Sequence, residues 1–290
     1  MDIRQTPEYA KYLNFLGWKT AKVNDGQIFI KRFPLIGSII KVQRIHPPIP
    51  FGEIEKIAKE NRTFLIQIDQ ELEQSGRVEE WKSRKTEPWK EYGYKINKTP
   101  YFPTKTIHID LTQSEQNIFN SFSEAKRRAV RRAQKNNIII KEAQDYQEFL
   151  WLKKRSLWEK PVIPIATGHE IGNLYKAFCP KNAKILIAYY QEKPVAGIFL
   201  LHTSKVAYYW LAAATNQGKK LFAPTMLVWE ALKRAKKIGC QIFDFEGVYD
   251  ERFPVKSWFG FTKFKEGFGG KEILYPPSLI KTKLSPRLPR

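Results

Sequence analysis

Lys184-Ile185-Leu186-Ile187-Ala188-Tyr189-Tyr190, Val195-Ala196-Gly197-Ile198-Phe199-Leu200-Leu201 and the run 206–213 decide the fold. Each is a short, β-branched and aromatic segment, and the first two are joined only through Gln191-Glu192-Lys193 and Pro194. Three consecutive strands with such tight breaks predict an antiparallel meander. Residues 224–238 then read as a long helix, with Pro224 near the first turn and Gly239 at the end, before a last strand over 241–245.

Strand, strand, strand, helix, strand is the core order of the GNAT acyltransferase fold, and the first half of the chain hints at a degraded copy of it. Residues 9–16 predict a short amphipathic helix ended at Gly17, 27–30 and 38–42 strands, and His46-Pro47-Pro48-Ile49-Pro50 a break. Residues 51–61 follow as a helix with Ile54, Ile57 and Ala58 on one face, and 63–68 as a buried strand. The stretch 71–103 is polar, dotted with aromatics and rich in turn residues, an irregular connection. A second unit opens with a strand at 106–111, runs into Thr112-Gln113-Ser114-Glu115 with capping-box spacing, and has a further strand at 138–140. The expected class is α/β (α+β), with two GNAT-like domains in tandem, each a mixed, mostly antiparallel sheet flanked by helices. The first, degraded, spans 1–105 and is rejoined by the C-terminal segment 272–290, and the second, 106–271, carries the reaction centre.

The 290 residues include 50 Lys and Arg against 29 Asp and Glu, a formal charge of +21. Such an excess points to a polyanionic partner, and a plain solvated basic surface is the alternative. Cys179 and Cys240 stand far apart with no His at ligand spacing, which supports neither a disulfide framework nor a metal site. Met1-Asp2-Ile3-Arg4 does not open a signal peptide, and no apolar run approaches the roughly 20 residues of a membrane span. The expectation is a cytoplasmic monomer. The basic tail with Lys281, Lys283, Arg287 and Arg290 leaves a peripheral contact with the inner membrane face open.

The densest charge lies at 126–135, where six of ten residues are basic. At helical spacing Phe122, Ala125, Ala129 and Ala133 line one face, so Lys126, Arg127, Arg131 and their neighbours crowd the rest. A face that tolerates such repulsion usually meets phosphate, for which arginine forks are shaped, and a solvated helix is the other reading. Tyr208-Tyr209-Trp210-Leu211-Ala212-Ala213-Ala214-Thr215 is an aromatic strand closing in small residues, most of them readable as core. The stretch after it, Asn216-Gln217-Gly218-Lys219-Lys220-Leu221-Phe222-Ala223, keeps one glycine and lacks the spacing of a coenzyme A pyrophosphate loop. Lys265, after Phe264 and before Gly267-Phe268-Gly269-Gly270, is a cation in an apolar frame, suited either to stabilising charge on an oxygen or to snorkelling. Asp244, at a strand end before Gly247, either positions an amine or caps the turn. His46, His108, His169 and His202 form no relay motif with Ser or Cys.

Taken in order, the strand at 106–111, the Lys126-Arg127-Arg128-Ala129-Val130-Arg131-Arg132-Ala133 helix, 188–197, 209–215, Phe243-Asp244-Phe245-x-Gly247 and Phe264-Lys265-x-Gly267-Phe268-Gly269-Gly270 resemble the FemABX family of peptidoglycan bridge peptidyltransferases. The resemblance covers about 106–275, and 6–44 more weakly. Ala125, Lys126 and Ala129 depart from the usual Lys, Thr and Asn of the family's helix, and 140–184 is too short for the helical arm of its longer members. The resemblance implies two GNAT-like domains working without metal or coenzyme A. It also implies transfer of an amino acid from aminoacyl-tRNA to an amine on the stem peptide of a UDP-linked or lipid-linked cell-wall precursor. It places Lys265, with Phe264 and Tyr209, at the catalytic centre, and Arg127 on precursor phosphate; Lys126, Arg131, Asp244 and Gly247 complete the expected substrate-binding set. An acyl-coenzyme A N-acyltransferase of GNAT type and a noncatalytic nucleic-acid-binding protein are the competing expectations.

Overall fold

The computed structural model describes residues 1–72, 88–159 and 168–283. The chain divides into two units: residues 1–105 with 250–254 and the segment from Leu274 onward, and residues 106–249 with 255–273.

The first unit begins with helix α1 (Pro7–Phe15), whose Thr6 hydroxyl accepts the N–H of Tyr9 and whose Pro7 occupies the first turn. Strands β1 (Lys19–Val23), β2 (Gly26–Phe33) and β3 (Gly37–Ile45) form an antiparallel meander. β1 was not foreseen from the sequence, because Lys19-Thr20-Ala21-Lys22-Val23 is largely polar and lies at the sheet edge. Helix α2 (Phe51–Glu60) returns the chain to β4 (Thr63–Gln70), which pairs with β3 in parallel. The strand Leu279–Thr282 adds antiparallel to β4, and beyond it lies β5 (Lys95–Ile96), which follows a single helical turn, α3 (Pro88–Glu91). Within the connection expected at 71–103, residues 73–87 lie outside the described residues, as do Arg287 and Arg290 of the basic tail. Ile28, Ile40, Val42, Ile54, Ile66 and Ile68 fill the core between sheet and helix.

The second unit repeats that scheme at larger scale. Strand β6 (Lys105–Asp110) precedes α4 (Glu115–Ser121) and α5 (Glu124–Lys135). The residue that caps α4 is Ser114, not Thr112: Ser114 accepts the N–H of Asn117, while the Thr112 hydroxyl donates to Asp110 in a turn. A second cap, Ser123, starts α5. On α5 the buried positions are Ala129, Val130 and Ala133, whereas Ala125, assigned to the apolar face from spacing, is exposed. Phe122 belongs to the break between the two helices, so α5 starts with a different phase from that predicted by one continuous helix. Strand β7 (Ile139–Glu142) and helices α6 (Gln147–Glu159) and α7 (Gly168–Phe178) come next, the two helices occupying a stretch the sequence left unassigned.

Strands β8 (Ala183–Tyr190), β9 (Lys193–His202) and β10 (Val206–Ala214) are the expected antiparallel meander. A short helix α8 (Asn216–Lys220) leads into α9 (Ala223–Lys237), and β11 (Ile242–Asp244) pairs with β10 in parallel and with β6 in antiparallel fashion. Helix α10 (Phe259–Glu266) and strand β12 (Lys271–Leu274) complete the unit. Among the described residues its sheet runs β12-β6-β11-β10-β9-β8-β7, and the first sheet runs β1-β2-β3-β4, then Leu279–Thr282, then β5. Each unit is therefore a mixed, mostly antiparallel sheet flanked by helices, built on the strand–strand–strand–helix–strand order of the GNAT fold.

The two sheets differ where a site can form. In the first, β3 stays paired with β4 from Ser38↔Thr63 to Ile45↔Gln70. In the second, β10 pairs with β11 only through Val206, Ala207 and Tyr208, and a bulge between Tyr209 and Leu211 turns the strand as it leaves its neighbour. Among the described residues the register of β10 with β11 ends at Tyr208.

Candidate functional site

A cavity of about 380 Å³ lies against β9, β10 and the start of α9. Its walls come from Gly197 and Ile198 of β9, Tyr209 and Ala212-Ala213-Ala214 of β10, Phe222, Pro224, Thr225 and Leu227 around the start of α9, and Phe264 of α10, with Lys219 on α8. Small side chains on β10 make the room, and the predominantly apolar lining keeps the local dielectric low.

Lys265 lies beside it. The residue is only 7% exposed, and its Nζ donates to the Gly247 carbonyl at 2.6 Å. The ammonium is 5.7 Å from the centre of the Tyr209 ring and 4.8 Å from that of Phe261, within cation–π range. Burial pushes this amine down to about 8, against the pull of the nearby Glu246 and Asp244 carboxylates. It thus stays mostly charged at neutral pH while stripped of water. Burial also raises the Tyr209 phenol above its ordinary range. The apolar frame read from the sequence is present, but Lys265 sits in the last turn of a helix and not in a loop.

The Gly-Phe-Gly-Gly corner after α10 anchors that helix. Phe268 is fully buried and meets Phe122, Phe245 and Phe264 at ring-centre distances of 5.1, 5.6 and 5.3 Å. Gly269 and Gly270 have φ of +74° and +94°, and a Cβ would fall 2.6 Å from the Ser121 carbonyl at the first and 2.5 Å from that of His108 at the second. Only glycine passes there.

The basic helix divides its cations. Lys126 covers the Phe264 and Phe268 rings, at 3.7 and 4.8 Å, and burial lowers its amine to about 8. Arg127 is turned onto the end of α4, its Nη1 donating to the carbonyls of Asn120 (2.8 Å) and Phe122. Arg131 is exposed, its guanidinium 5.8 Å from the Phe119 ring, and Arg128, Arg132 and Lys135 are exposed as well. So Lys126 joins Lys265, Phe264 and Tyr209 in one aromatic cluster, whereas Arg127 and Arg131 lie along α5 beside it.

Asp244 is buried with all its acceptors turned inward. Its Oδ1 accepts from the Thr106 hydroxyl at 2.5 Å and from the Glu246 N–H at 2.7 Å, and Oδ2 lies 3.2 Å from His108 Nε2. Burial opposes the charged form, but His108, Thr106 and the backbone donor outweigh it and bring the carboxyl to about 2. Gly247 faces the same way, its N–H donating to Thr106 Oγ1 at 3.1 Å. Thr106 and His108 escaped the sequence reading. They sit two apart on one face of β6, and only the pairing of His108 with Asp244 across β6 and β11 brings them to the site.

Gly218, the one glycine of the loop compared with a coenzyme A cradle, packs inside α8: its N–H donates to Thr215 Oγ1 at 3.0 Å, and a Cβ there would meet the Val195 carbonyl at 2.2 Å. Its conformation serves packing against β9.

Residues 179–276, which hold the cavity, Asp244, Lys265 and the glycine corner, match the FemAB family model. The crystal structure of FemX superposes with a TM-score of 0.79, covering 97% of this chain and 92% of that one at 16% identity. A conserved protein of unknown function from Bacteroides thetaiotaomicron gives 0.60 at 13% identity over 94% and 88% of the two chains. L-PGS from Bacillus licheniformis gives 0.58 at 14% identity over 94% and 87%. At these identities the structures speak for a shared fold. No curated protein matches the sequence significantly. The FemAB-family match begins before β8 and ends after β12, so it spans the meander, α9, β11 and α10, the elements that build the site.

Proposed function

We propose that the protein is a FemABX-type aminoacyltransferase, moving an amino acid from aminoacyl-tRNA to an amine on the stem peptide of a peptidoglycan precursor in the cytoplasm. The observation that carries this reading is Lys265: a buried, hydrogen-bonded ammonium next to an apolar cavity, within a FemAB-family segment.

The chemistry asks little beyond what is there. An aminoacyl ester is already activated, so the reading calls for no metal or coenzyme, only for alignment and charge stabilisation. The precursor amine attacks the ester carbonyl, forming a C–N bond and a tetrahedral oxyanion. Lys265, fixed and poorly solvated, opposes that negative charge. Collapse breaks the C–O bond to the ribose, whose oxygen leaves with the proton shed by the amine. Tyr209 and Phe264 wall the space for the aminoacyl end. Arg127, with Lys126 and Arg131 on the same helix, supplies positive charge for precursor and RNA phosphates. The packing role of Gly218 favours an RNA-borne donor over acyl-coenzyme A, because that glycine does not present its N–H to a pyrophosphate.

The test incubates the protein with a pool of charged tRNAs and, separately, with UDP-linked and lipid-linked precursors, reading products by mass. A precursor heavier by one or more aminoacyl residues is expected, and Lys265→Ala should abolish it while RNA binding persists. Transfer from acyl-coenzyme A alone, or none from any charged tRNA, overturns the reading.

A further inference from the structure

Thr106 and Asp244 are not among the residues that line the cavity, yet a continuous set of hydrogen bonds leads from them to Lys265. The Asp244 carboxylate accepts the Thr106 hydroxyl and the Glu246 N–H, Thr106 Oγ1 accepts the Gly247 N–H, and the Gly247 carbonyl accepts the Lys265 ammonium. The bridging corner is conformationally demanding: Glu246 and Gly247 have φ of +57° and +106°, both left-handed. A non-glycine residue such as Glu246 holds that region only when its surroundings impose it. Here the imposing groups are Asp244, which captures the Glu246 N–H, and Thr106, which captures the next one.

We propose that Asp244 and Thr106 are positioning residues for Lys265: they lock the Glu246–Gly247 corner so that its carbonyl holds the ammonium beside Tyr209. This rests on the reading of Lys265 as the group that stabilises the transfer oxyanion. It gives Asp244 a task other than substrate contact, in keeping with a carboxylate only 4% exposed and already engaged by Thr106, Glu246 and His108.

Position and charge act together. The charged and titratable groups around Lys265 are Glu246 and Asp244 from the β11 end, His108 behind Asp244 on β6, Tyr209 on β10, and Lys126 on α5 over Phe264. Burial works against the ammonium, and the two carboxylates work for it. Asn at 244 keeps an oxygen for Thr106 and the Glu246 N–H but carries no charge. Val at 106 keeps the shape and removes both the bond to Asp244 and the acceptor for Gly247. Ser restores both.

The experiment follows the Lys265 side chain directly, by NMR titration of protein labelled at lysine ¹³Cε, with the resonance assigned by its loss in Lys265→Met. Asp244→Asn is expected to lower the Lys265 midpoint by roughly one pH unit, as loss of one nearby opposite charge does. Thr106→Val should lower it too, and Thr106→Ser should return it to the parent value. Transfer rates, where measured, should show their alkaline limb moving with the midpoint. A midpoint unmoved by Asp244→Asn, or a serine variant that behaves as valine does, overturns the proposal. Should Asp244→Asn fail to fold, the valine and serine pair decides by the same titration. No substrate enters that measurement, so an inactive parent would sink the aminoacyltransferase reading while leaving the positioning result to stand or fall alone.

Discussion

The Lys126 ammonium lies 3.7 Å from the centre of the Phe264 ring, so the residue just before Lys265 is capped by a cation from another helix. That geometry has the Lys126 stem and ammonium cover the ring, and the proposed function adds a second task, offering charge to substrate. Lys126→Ala is expected to lower stability by about 1 kcal/mol, the scale of a partly desolvated cation–π contact and its stem packing. Lys126→Met keeps the stem, so it should restore the denaturation midpoint while the acceptor KM stays raised several-fold. Equal KM in the Met variant and the parent would reduce Lys126 to a packing residue.

The lysine at the centre predicts opposite pH trends for activity and for stability. In the proposed reaction the ammonium is the working form, and its pKa is near 8 in the folded protein, so transfer should decline as pH rises through about 8. In the unfolded chain the same amine titrates near its ordinary value of 10.5. Between these limits the unfolded state binds more protons, so stability rises with pH from about 8 to above 10. Below pH 8 the buried cation costs about 3 kcal/mol, the difference in pKa converted at about 1.4 kcal/mol per unit. Lys265→Met removes that cost but leaves the Gly247 carbonyl without its donor, a loss of about 2 kcal/mol. The variant should be inactive and about 1 kcal/mol more stable at pH 7, with the gain gone by pH 10. Thermal melts across that range check the sign.

Much of the fold, and the apolar frame around Lys265, was legible in the sequence where a local pattern carries the signal. The meander and the long helix showed through β-branched runs, Pro224 and Gly239, and the Phe-Lys pair before the glycine corner marked Lys265. What escaped depends on pairing between distant segments. Thr106 and His108 acquire meaning only when β6 is laid against β11, and the cavity draws its walls from β9, β10, α8, the start of α9 and α10 together, an assembly without a residue signature. The phase of α5 was misread for a nearer reason: Ser114 and Ser123 both cap, so one apparent helix is two, and Ala125 faces outward.

The glycine corner gives a sharper stability test than any core residue near it. Gly270→Ala combines φ of +94° with a Cβ placed 2.5 Å from the His108 carbonyl, an atom in a paired strand that cannot yield. Gly267→Ala has ordinary backbone geometry, and the atoms nearest its Cβ belong to the Lys126 side chain, so the change costs at most what that side chain's contact with the Phe264 ring contributes. The first change should cost more than about 2 kcal/mol and the second less than about 1 kcal/mol. Chemical denaturation of the pair measures both. Similar losses would mean that the corner has relaxed into another conformation and no longer seats α10.

In the proposed function the exposed cations of α5 are the groups that hold RNA. Arg131, Arg132 and Lys135 are exposed, unlike Lys126 and Arg127, which are half-buried and turned onto Phe264 and the end of α4. Cations that meet phosphate release counterions, and each contact adds roughly 0.7 to 0.9 to the slope of log affinity against log salt. Replacing Arg131, Arg132 and Lys135 with Gln should therefore flatten that slope for a tRNA by about 2 and weaken binding at low salt. Lys265, its neighbours and its titration should be untouched, since none of the three contacts the residues that hold it. A slope equal to that of the parent would move the RNA-binding face off this helix, and the charge excess of the chain would then need another surface to act through.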